Sequence, residues 1–321
     1  MNIEDFCGKS AFGPVAEGSS ATCGGASGVP SVRVLAVTGP TATGKTALAV
    51  KLAEKFGGEI VSVDSRQVYR GLDIGSGKDI EEYGNIPYHL IDIADPAAEV
   101  YNLARFCADA FAAVKDISDR GKLPVLCGGT ALYLLALLAG YRLPGAALPP
   151  RSSGLPRRRQ GEGGEDSFAP PFRLDALTLG VYYPRAEVRE RIRVRLDKRL
   201  DAGMLDEGRR LLAQGVSLEK MEFFGLEYRE MARCLAGKCT PLEMRDVLLN
   251  KIRQFAKRQD IFFRKMEREG RVIYWLERGD FQAAVSLAAR FLAGEALPPP
   301  AFRLTEIVNP AKPEAETSAS V

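Results

Sequence analysis

The sequence predicts an α/β fold: a P-loop NTPase-like parallel sheet flanked by helices, with a C-terminal helical region. Three observations predict it. The run Gly39-Pro40-Thr41-Ala42-Thr43-Gly44-Lys45-Thr46 fits the phosphate-cradling pattern G-x-x-x-x-G-K-[ST]. The apolar run 32–37 before it reads as a buried strand, and 47–56 after it as a helix with Leu48 and Leu52 four apart. Strand-like and helix-like stretches then alternate, the pattern of a parallel sheet with helices on both faces.

The elements follow in order. Residues 59–63 read as a second strand ending at Asp64, and 88–93 as a third that runs into Asp95-Pro96. A helix over 103–118 carries Phe106, Ala110, Phe111 and Val114 on one face. Residues 123–127 form a fourth strand, and Gly128-Gly129-Thr130 opens a helix over 131–139. The region 31–143 is therefore the core. From 144 to 173 Pro, Gly, Ser and Arg dominate, with Arg157-Arg158-Arg159 inside, which reads as a flexible basic linker. A fifth strand is expected over 176–182. A strongly basic helix follows over 185–202, with Val188, Ile192, Leu196 and Leu200 on its apolar face. Further helices are expected near 205–214, 226–236 and 241–268, then a closing strand over 272–276 and a helix over 281–293. Residues 174–297 thus complete the core. The Gly-, Ser- and Ala-rich N-terminal segment 1–30 and the tail 298–321 read as disordered.

Composition narrows the function classes. The 321 residues are 46% hydrophobic and 26% charged, an ordinary globular balance. A net charge of +3 is too small to argue for nucleic acid, so local clusters must carry that argument. The six cysteines (Cys7, Cys23, Cys107, Cys127, Cys234 and Cys239) form no C-x-x-C pair, which argues against a zinc ribbon or a disulfide framework. The single histidine, His89, cannot build a multi-histidine metal site and reads as a core or loop residue. No apolar run is long enough to cross a bilayer, and the first 30 residues lack a basic start leading into an apolar stretch. The expected location is the cytoplasm, and the expected state a monomer.

The phosphate loop carries the chemistry. Gly39 and Gly44 admit backbone angles and close approach that a Cβ would block. The amides of Thr41, Ala42, Thr43 and Gly44, with the helix N-terminus at Lys45 and Thr46, then face an anion. Lys45 adds a point charge at the outer phosphates, and the Thr46 hydroxyl is a ligand for Mg²⁺. In parallel sheets the ligand lies beyond the carboxyl ends of the strands, so the loop, Asp64 and Gly128–Thr130 should share one cleft. The strand 123–127 ends in glycines, where a hydrolysing P-loop enzyme carries an acidic residue. Asp64, on its neighbour, is either a metal helper or a general base.

Several blocks carry a resemblance to one family. Residues 63–78, containing Asp64-Ser65-Arg66-Gln67, closely resemble the segment after the phosphate loop in the tRNA dimethylallyltransferases (tRNA isopentenyltransferases). Tyr88-His89-Leu90-Ile91-Asp92-Ile93-Ala94-Asp95-Pro96, Gly128-Gly129-Thr130-Ala131-Leu132-Tyr133, Gly225-Leu226-Glu227-Tyr228-Arg229-Glu230 and Gln254-Phe255-Ala256-Lys257-Arg258-Gln259 resemble further blocks of that family, in its order. The resemblance implies transfer of a five-carbon group from dimethylallyl diphosphate to N6 of an adenosine next to the tRNA anticodon, with Mg²⁺. It implies that Lys45 and the loop hold the diphosphate, that Asp64 accepts the N6 proton, and that Thr130 lies at the reacting centre. Arg229 matches a family arginine near the diphosphate. Asp64, Ser65, Arg66 and Gln67 match a segment that contacts the tRNA base, and Lys257 and Arg258 lie on a basic helix suited to RNA phosphates. Each has a plainer reading: Asp64 as an outer metal ligand, Thr130 as a helix N-cap, Arg229 in a surface ion pair.

One departure stands out. The family carries a helical insertion after its G-G-T helix that grips the anticodon stem, with an N-x-x-R-x-x-R-A-L-E-like block. No such block occurs here, and 140–173 is short and rich in Pro, Gly and Arg. Three other readings stay open: prenylation of a free adenine nucleotide, a small P-loop nucleotide or metabolite kinase, and a non-catalytic RNA-binding paralogue.

Overall fold

The computed structural model describes residues 30–307 apart from 99, 142 and 144–167. The expectations for the N-terminal segment, for Arg157-Arg158-Arg159 and for the tail beyond 307 lie outside the described residues. The strands are β1 (Ser31–Thr38), β2 (Gly58–Ser62), β3 (Tyr88–His89), β4 (Leu123–Cys127), β5 (Arg173–Tyr182) and β6 (Tyr274–Glu277). They form a single six-stranded sheet in the order β3-β2-β4-β1-β5-β6, and every pairing is parallel. The helices are α1 (Lys45–Phe56), α2 (Leu103–Asp119), α3 (Ala131–Ala139), α4 (Arg185–Asp201), α5 (Met204–Ala213), α6 (Leu218–Phe223), α7 (Leu226–Leu235), α8 (Pro241–Arg268), α9 (Phe281–Ala293) and α10 (Leu304–Ile307).

Side-chain alternation along β1 explains the layering. Leu35 and Val37 join Leu48 and Leu52 of α1 and Ala284 and Ala288 of α9 on one face. Val34 and Ala36 join Phe106 and Phe111 of α2, Leu134 of α3 and the helices α4 to α8 on the other. A strand buried on both faces must be apolar throughout, which is why 32–37 has no polar alternation apart from Arg33. The long helix α8 starts on a capping box, Thr240 with Glu243, with Pro241 in its first turn.

Four expectations need correction. The third strand is only two residues long, because Leu90 and Asp92 adopt left-handed φ of 64° and 57°. The turn delivers the Asp92 carboxylate to Lys78, which is buried and also donates to the Tyr69 carbonyl at 2.8 Å and Asp73 Oδ1 at 2.7 Å. All three ammonium protons are thus used, the condition for burying a lysine. The fifth strand begins at Arg173, and Phe168 is buried and bridged to Leu143, so residues 168–173 belong to the packed fold rather than the linker. Residues 304–307 are helical rather than a free tail: Glu267 accepts from the amides of Leu304 and Thr305, both at 3.1 Å, and Leu304 is buried. The short helix α6 has no counterpart in the sequence reading, because its six residues bury only Met221 and give no periodicity.

At the edge of the sheet, buried Glu59 accepts two hydrogen bonds from Arg120 and stands 2.8 Å from His89 Nε2. The Arg120 pairing first, and His89 with it, draw the Glu59 carboxyl down to about 2, against the opposing effect of burial. A depressed carboxylate stabilises the fold above its unfolded pKa of about 4.5, and that contribution disappears as the pH falls through about 2. Glu59→Gln is expected to lower the melting temperature by a few degrees at pH 7. In thermal melts the gap from the parent protein should narrow between pH 4.5 and 2.

Candidate active site

Three loops meet at the carboxyl ends of three adjacent strands. Residues 39–44 leave β1, 63–65 leave β2 and 128–130 leave β4, and these strands are neighbours in the order β2-β4-β1. Close approach dictates the glycines. A Cβ on Gly39 would stand 2.8 Å from the Val181 carbonyl of β5, and one on Gly128 would stand 2.1 Å from the Val63 carbonyl. The N-terminus of α1 has no side-chain cap and no acid in its first turn, so its amides remain open to an anion.

Lys45 is a partly buried cation with one weak acceptor among the described residues, the Pro40 carbonyl at 3.4 Å. Burial, and then Arg195, lower its pKa to about 8, while Asp64 pulls the other way. The Thr46 hydroxyl meets the thiol of Cys127, the last residue of β4, whose pKa burial raises to about 11. A neutral thiol therefore stands where a hydrolysing P-loop enzyme has a carboxylate. Ala42 has a left-handed φ of 63°, and its carbonyl accepts from Arg191 Nε at 2.7 Å. Thr43 Oγ1 donates to the Pro40 carbonyl at 2.9 Å, so the side chain shapes the loop.

Asp64 Oδ1 accepts from the Arg66 amide at 2.9 Å, a tight turn that orients the carboxylate. Arg66 Nη1 donates to Glu227 Oε2 at 2.5 Å, with Nε 3.6 Å from Asp64. Thr130 is the N-cap residue of α3, but its side chain makes no capping hydrogen bond there: Oγ1 instead accepts from the Ser65 amide at 3.3 Å. Gln67 accepts from Ser62 Oγ at 2.8 Å and donates to the Gly77 carbonyl at 3.1 Å. Its amide is committed to shaping this wall.

Two sequence assignments change. The Thr41 amide does not face an open anion site: it donates to Gln259 Oε1 at 2.8 Å. Arg229 does not reach the loop. It is exposed, donates to the Glu222 carbonyl at 3.3 Å, and among the described residues makes no hydrogen bond or ion pair with residues 39–46. The arginines beside the loop are Arg191, Arg195 and Arg199 of α4, whose four-residue spacing sets them on one helix face. That spacing was the signal available in the sequence. Lys257 and Arg258 are exposed on α8, with no hydrogen bond or ion pair among the described residues.

The neighbour of those two, Gln259, points the other way. It is buried, and its Nε2 donates to the Gly129 carbonyl at 2.8 Å while Oε1 holds Thr41. One side chain therefore ties the phosphate loop to the Gly129 loop. A Cβ on Gly129 would stand 2.8 Å from that Nε2 and 3.3 Å from Lys45 Nζ.

Comparison with known proteins agrees with this arrangement. The IPP transferase family model matches residues 67–163 and 152–266, and an isopentenyl transferase model matches 32–84. The chain is 42% identical over 281 residues to tRNA dimethylallyltransferase 1 of Geotalea daltonii, covering 76% of this chain and 90% of that protein. It is 44% identical over 283 residues to tRNA dimethylallyltransferase 1 of Geotalea uraniireducens, covering 77% and 93%. Its fold matches a full-length tRNA isopentenylpyrophosphate transferase from Bacillus halodurans with a TM-score of 0.64 and 28% identity, over 82% of this chain and 96% of that one. For the Geotalea daltonii protein, 76% of 321 residues is about 244, set against 281 aligned positions. About 37 of those positions thus have no counterpart here.

Gln259→Met keeps the side-chain length and removes both hydrogen bonds. Leaving the Thr41 amide and the Gly129 carbonyl unsatisfied should cost on the order of 2 kcal/mol of stability. Pyrophosphate affinity, followed by calorimetric titration, is expected to fall about tenfold as the loop loses its anchor.

Proposed function

The chain belongs to the tRNA dimethylallyltransferase (IPP transferase) family, and from that premise we propose that its cleft moves a dimethylallyl group from dimethylallyl diphosphate to N6 of the adenosine beside a tRNA anticodon, releasing pyrophosphate. One observation carries the reading. The partly buried, under-paired Lys45 and the oriented carboxylate of Asp64 lie at the ends of strands on either side of β4, with Thr130 between them.

The electron pair of the breaking C–O bond leaves on a diphosphate oxygen. Lys45, the open amides at the start of α1 and Arg191 stabilise that charge where it develops. The bond forms between the allylic carbon and N6, and the N6 proton passes to Asp64. A base is required because the N6 lone pair is delocalised into the adenine ring, and a placed carboxylate contributes about 10²- to 10⁴-fold. Exposed Lys257 and Arg258 on α8 suit RNA phosphates. The adenosine must leave its stack to reach Asp64.

The donor set beside the loop suits Mg²⁺ that arrives with the diphosphate. Thr46 offers one hydroxyl, and no group of three metal-ligating side chains occurs among the described residues. Magnesium commonly takes one or two protein ligands and otherwise substrate oxygens and water. When bound, it supplies charge neutralisation to the departing diphosphate.

A smaller acceptor is the second reading, favoured by the roughly 37 aligned positions that have no counterpart here. Labelled dimethylallyl diphosphate supplied with Mg²⁺ and either unmodified tRNA or AMP separates the two. Label entering tRNA supports the main reading, and label entering AMP alone overturns it. Asp64→Asn is expected to lose at least 100-fold in single-turnover transfer while pyrophosphate binding stays within about threefold. Near-normal turnover would remove Asp64 from the base role.

A further inference from the structure

Two cysteines at the α7–α8 turn take no part in the chemistry of the cleft. Cys234 is the last residue but one of α7, and Cys239 comes just before Thr240, the N-cap of α8. Both are free thiols, partly exposed and packed at the margin of the larger core cluster. Cys107 and Cys127 differ: they are fully buried, and burial holds their thiols at pKa values of about 12 and 11. Cys239 is the hydrogen-bond partner of the Cys234 thiol. The two are therefore a contacting pair, at a spacing outside the C-x-x-C pattern.

The backbone holds the pair together. The Gly237 amide donates to the Cys234 carbonyl at 2.9 Å, and the Lys238 amide to the Arg233 carbonyl at 3.0 Å. These are the two bonds of a Schellman motif, which folds the chain back over the helix end that it leaves. Gly237 supplies the left-handed φ of 71° that the motif needs, and a Cβ there would meet open space. Residues 236–238 are exposed, so a small molecule in solvent reaches the turn. On the far side the Thr240–Glu243 capping box fixes the residue that follows Cys239. The reduced chain thus already holds the two sulfurs side by side.

We propose that Cys234 and Cys239 form a reversible redox site, a dithiol that a small-molecule disulfide converts into a disulfide across the α7–α8 turn. Burial, and then Cys239, push the Cys234 thiol above its usual range, with Arg209 of α5 opposing, so the first attack falls to Cys239. The Cys239 thiolate attacks one sulfur of the small disulfide and expels the other as a thiolate, leaving a mixed disulfide. Cys234 then loses its proton and attacks the Cys239 sulfur, expelling the second small thiolate. Two protein thiols are oxidised, the small disulfide is reduced to two thiols, and the two protons lost by the protein end on those thiols. The new bond staples the end of α7, which carries Glu227 and Tyr228, to the start of α8, which carries Gln259. In a reducing compartment such a pair serves as a transient sensor rather than a permanent brace.

The test exposes the reduced full-length protein to oxidised glutathione and reads each thiol by differential alkylation and peptide mass mapping. Cleavage at Lys238 separates the two cysteines, so the bond appears as two joined peptides, lighter together by two hydrogen atoms. Dithiothreitol should restore both thiols. The oxidised protein is expected to melt a few degrees above the reduced one, because the bond restricts the unfolded chain. In Cys239→Ser neither the joined peptides nor the shift should appear, and Cys234→Ser should retain glutathione on Cys239. Glutathione that stays on either cysteine of the parent protein, two thiols left unreacted, or an oxidised form that melts no higher than the reduced one would each overturn the proposal.

Discussion

The site depends on one carboxamide. Gln259 reaches from the C-terminal helix α8 to the Thr41 amide 218 residues earlier and to the Gly129 carbonyl 130 residues earlier. Only a group with a donor and an acceptor at one end can serve both. A glutamate would lack the donor, and an aliphatic side chain would leave two buried backbone groups unsatisfied. The constraint runs backwards into the fold. For Gln259 to arrive in register, α8 must be fixed at both ends. Its start is held by the Thr240–Glu243 capping box. Its end is held by the edge-on packing of Phe263 against Trp275, whose indole donates to Glu267 at 2.7 Å. The same glutamate anchors α10, so the segment after α9 helps set the position of the phosphate loop.

A second constraint is electrostatic. Lys45 has one weak acceptor, Arg199 has buried donors without acceptors, and Arg191 holds a left-handed alanine. These features cost stability in the empty protein, and they stand in one cleft, which is where such costs accumulate when ligands relieve them. The counterweight is a set of fully satisfied clusters nearby. Glu207 accepts from the amides of Asp73, Ile74 and Gly75 and from the Tyr228 hydroxyl, and Lys78 uses all its protons. Segment 73–78, against which Arg199 packs, is thereby held rigid from both sides.

Much of this was legible in the sequence because the signals are local. The phosphate loop, the turn at Asp64 and the Gly128-Gly129-Thr130 corner each occupy a few consecutive residues with their own backbone demands. Helix α8 was legible to its end residues because capping box, proline and apolar period agree. What was not legible depends on partners far away in the chain. Arg229 illustrates the limit: in Glu227-Tyr228-Arg229-Glu230, successive side chains turn by about 100°, and the sequence does not say which points inward. The structure buries Glu227, Tyr228 and Glu230 and exposes Arg229. The third strand failed for a similar reason. The apolar run from Tyr88 to Ile93 reads as a strand, yet Leu90 and Asp92 take left-handed turns that bring Asp92 to Lys78.

The residue at the end of β4 bears on the chemistry. Cys127 lies beside Thr46, in the position from which a carboxylate would reach a metal, and burial keeps its thiol neutral, with a pKa of about 11. That strand end then offers a divalent ion no carboxylate, and Mg²⁺ commonly takes few protein ligands and completes its shell with substrate oxygens and water. Nothing at that strand end is equipped to take a proton from an attacking water, which favours expulsion of an intact pyrophosphate over its hydrolysis. Asp64, whose carboxylate accepts from the Arg66 amide, is displaced by a strand, to the end of β2. That displacement leaves the width of β4 between the cation of the phosphate loop and the carboxylate proposed as the base. An acceptor amine attacking a carbon some atoms away from the phosphorus needs that separation.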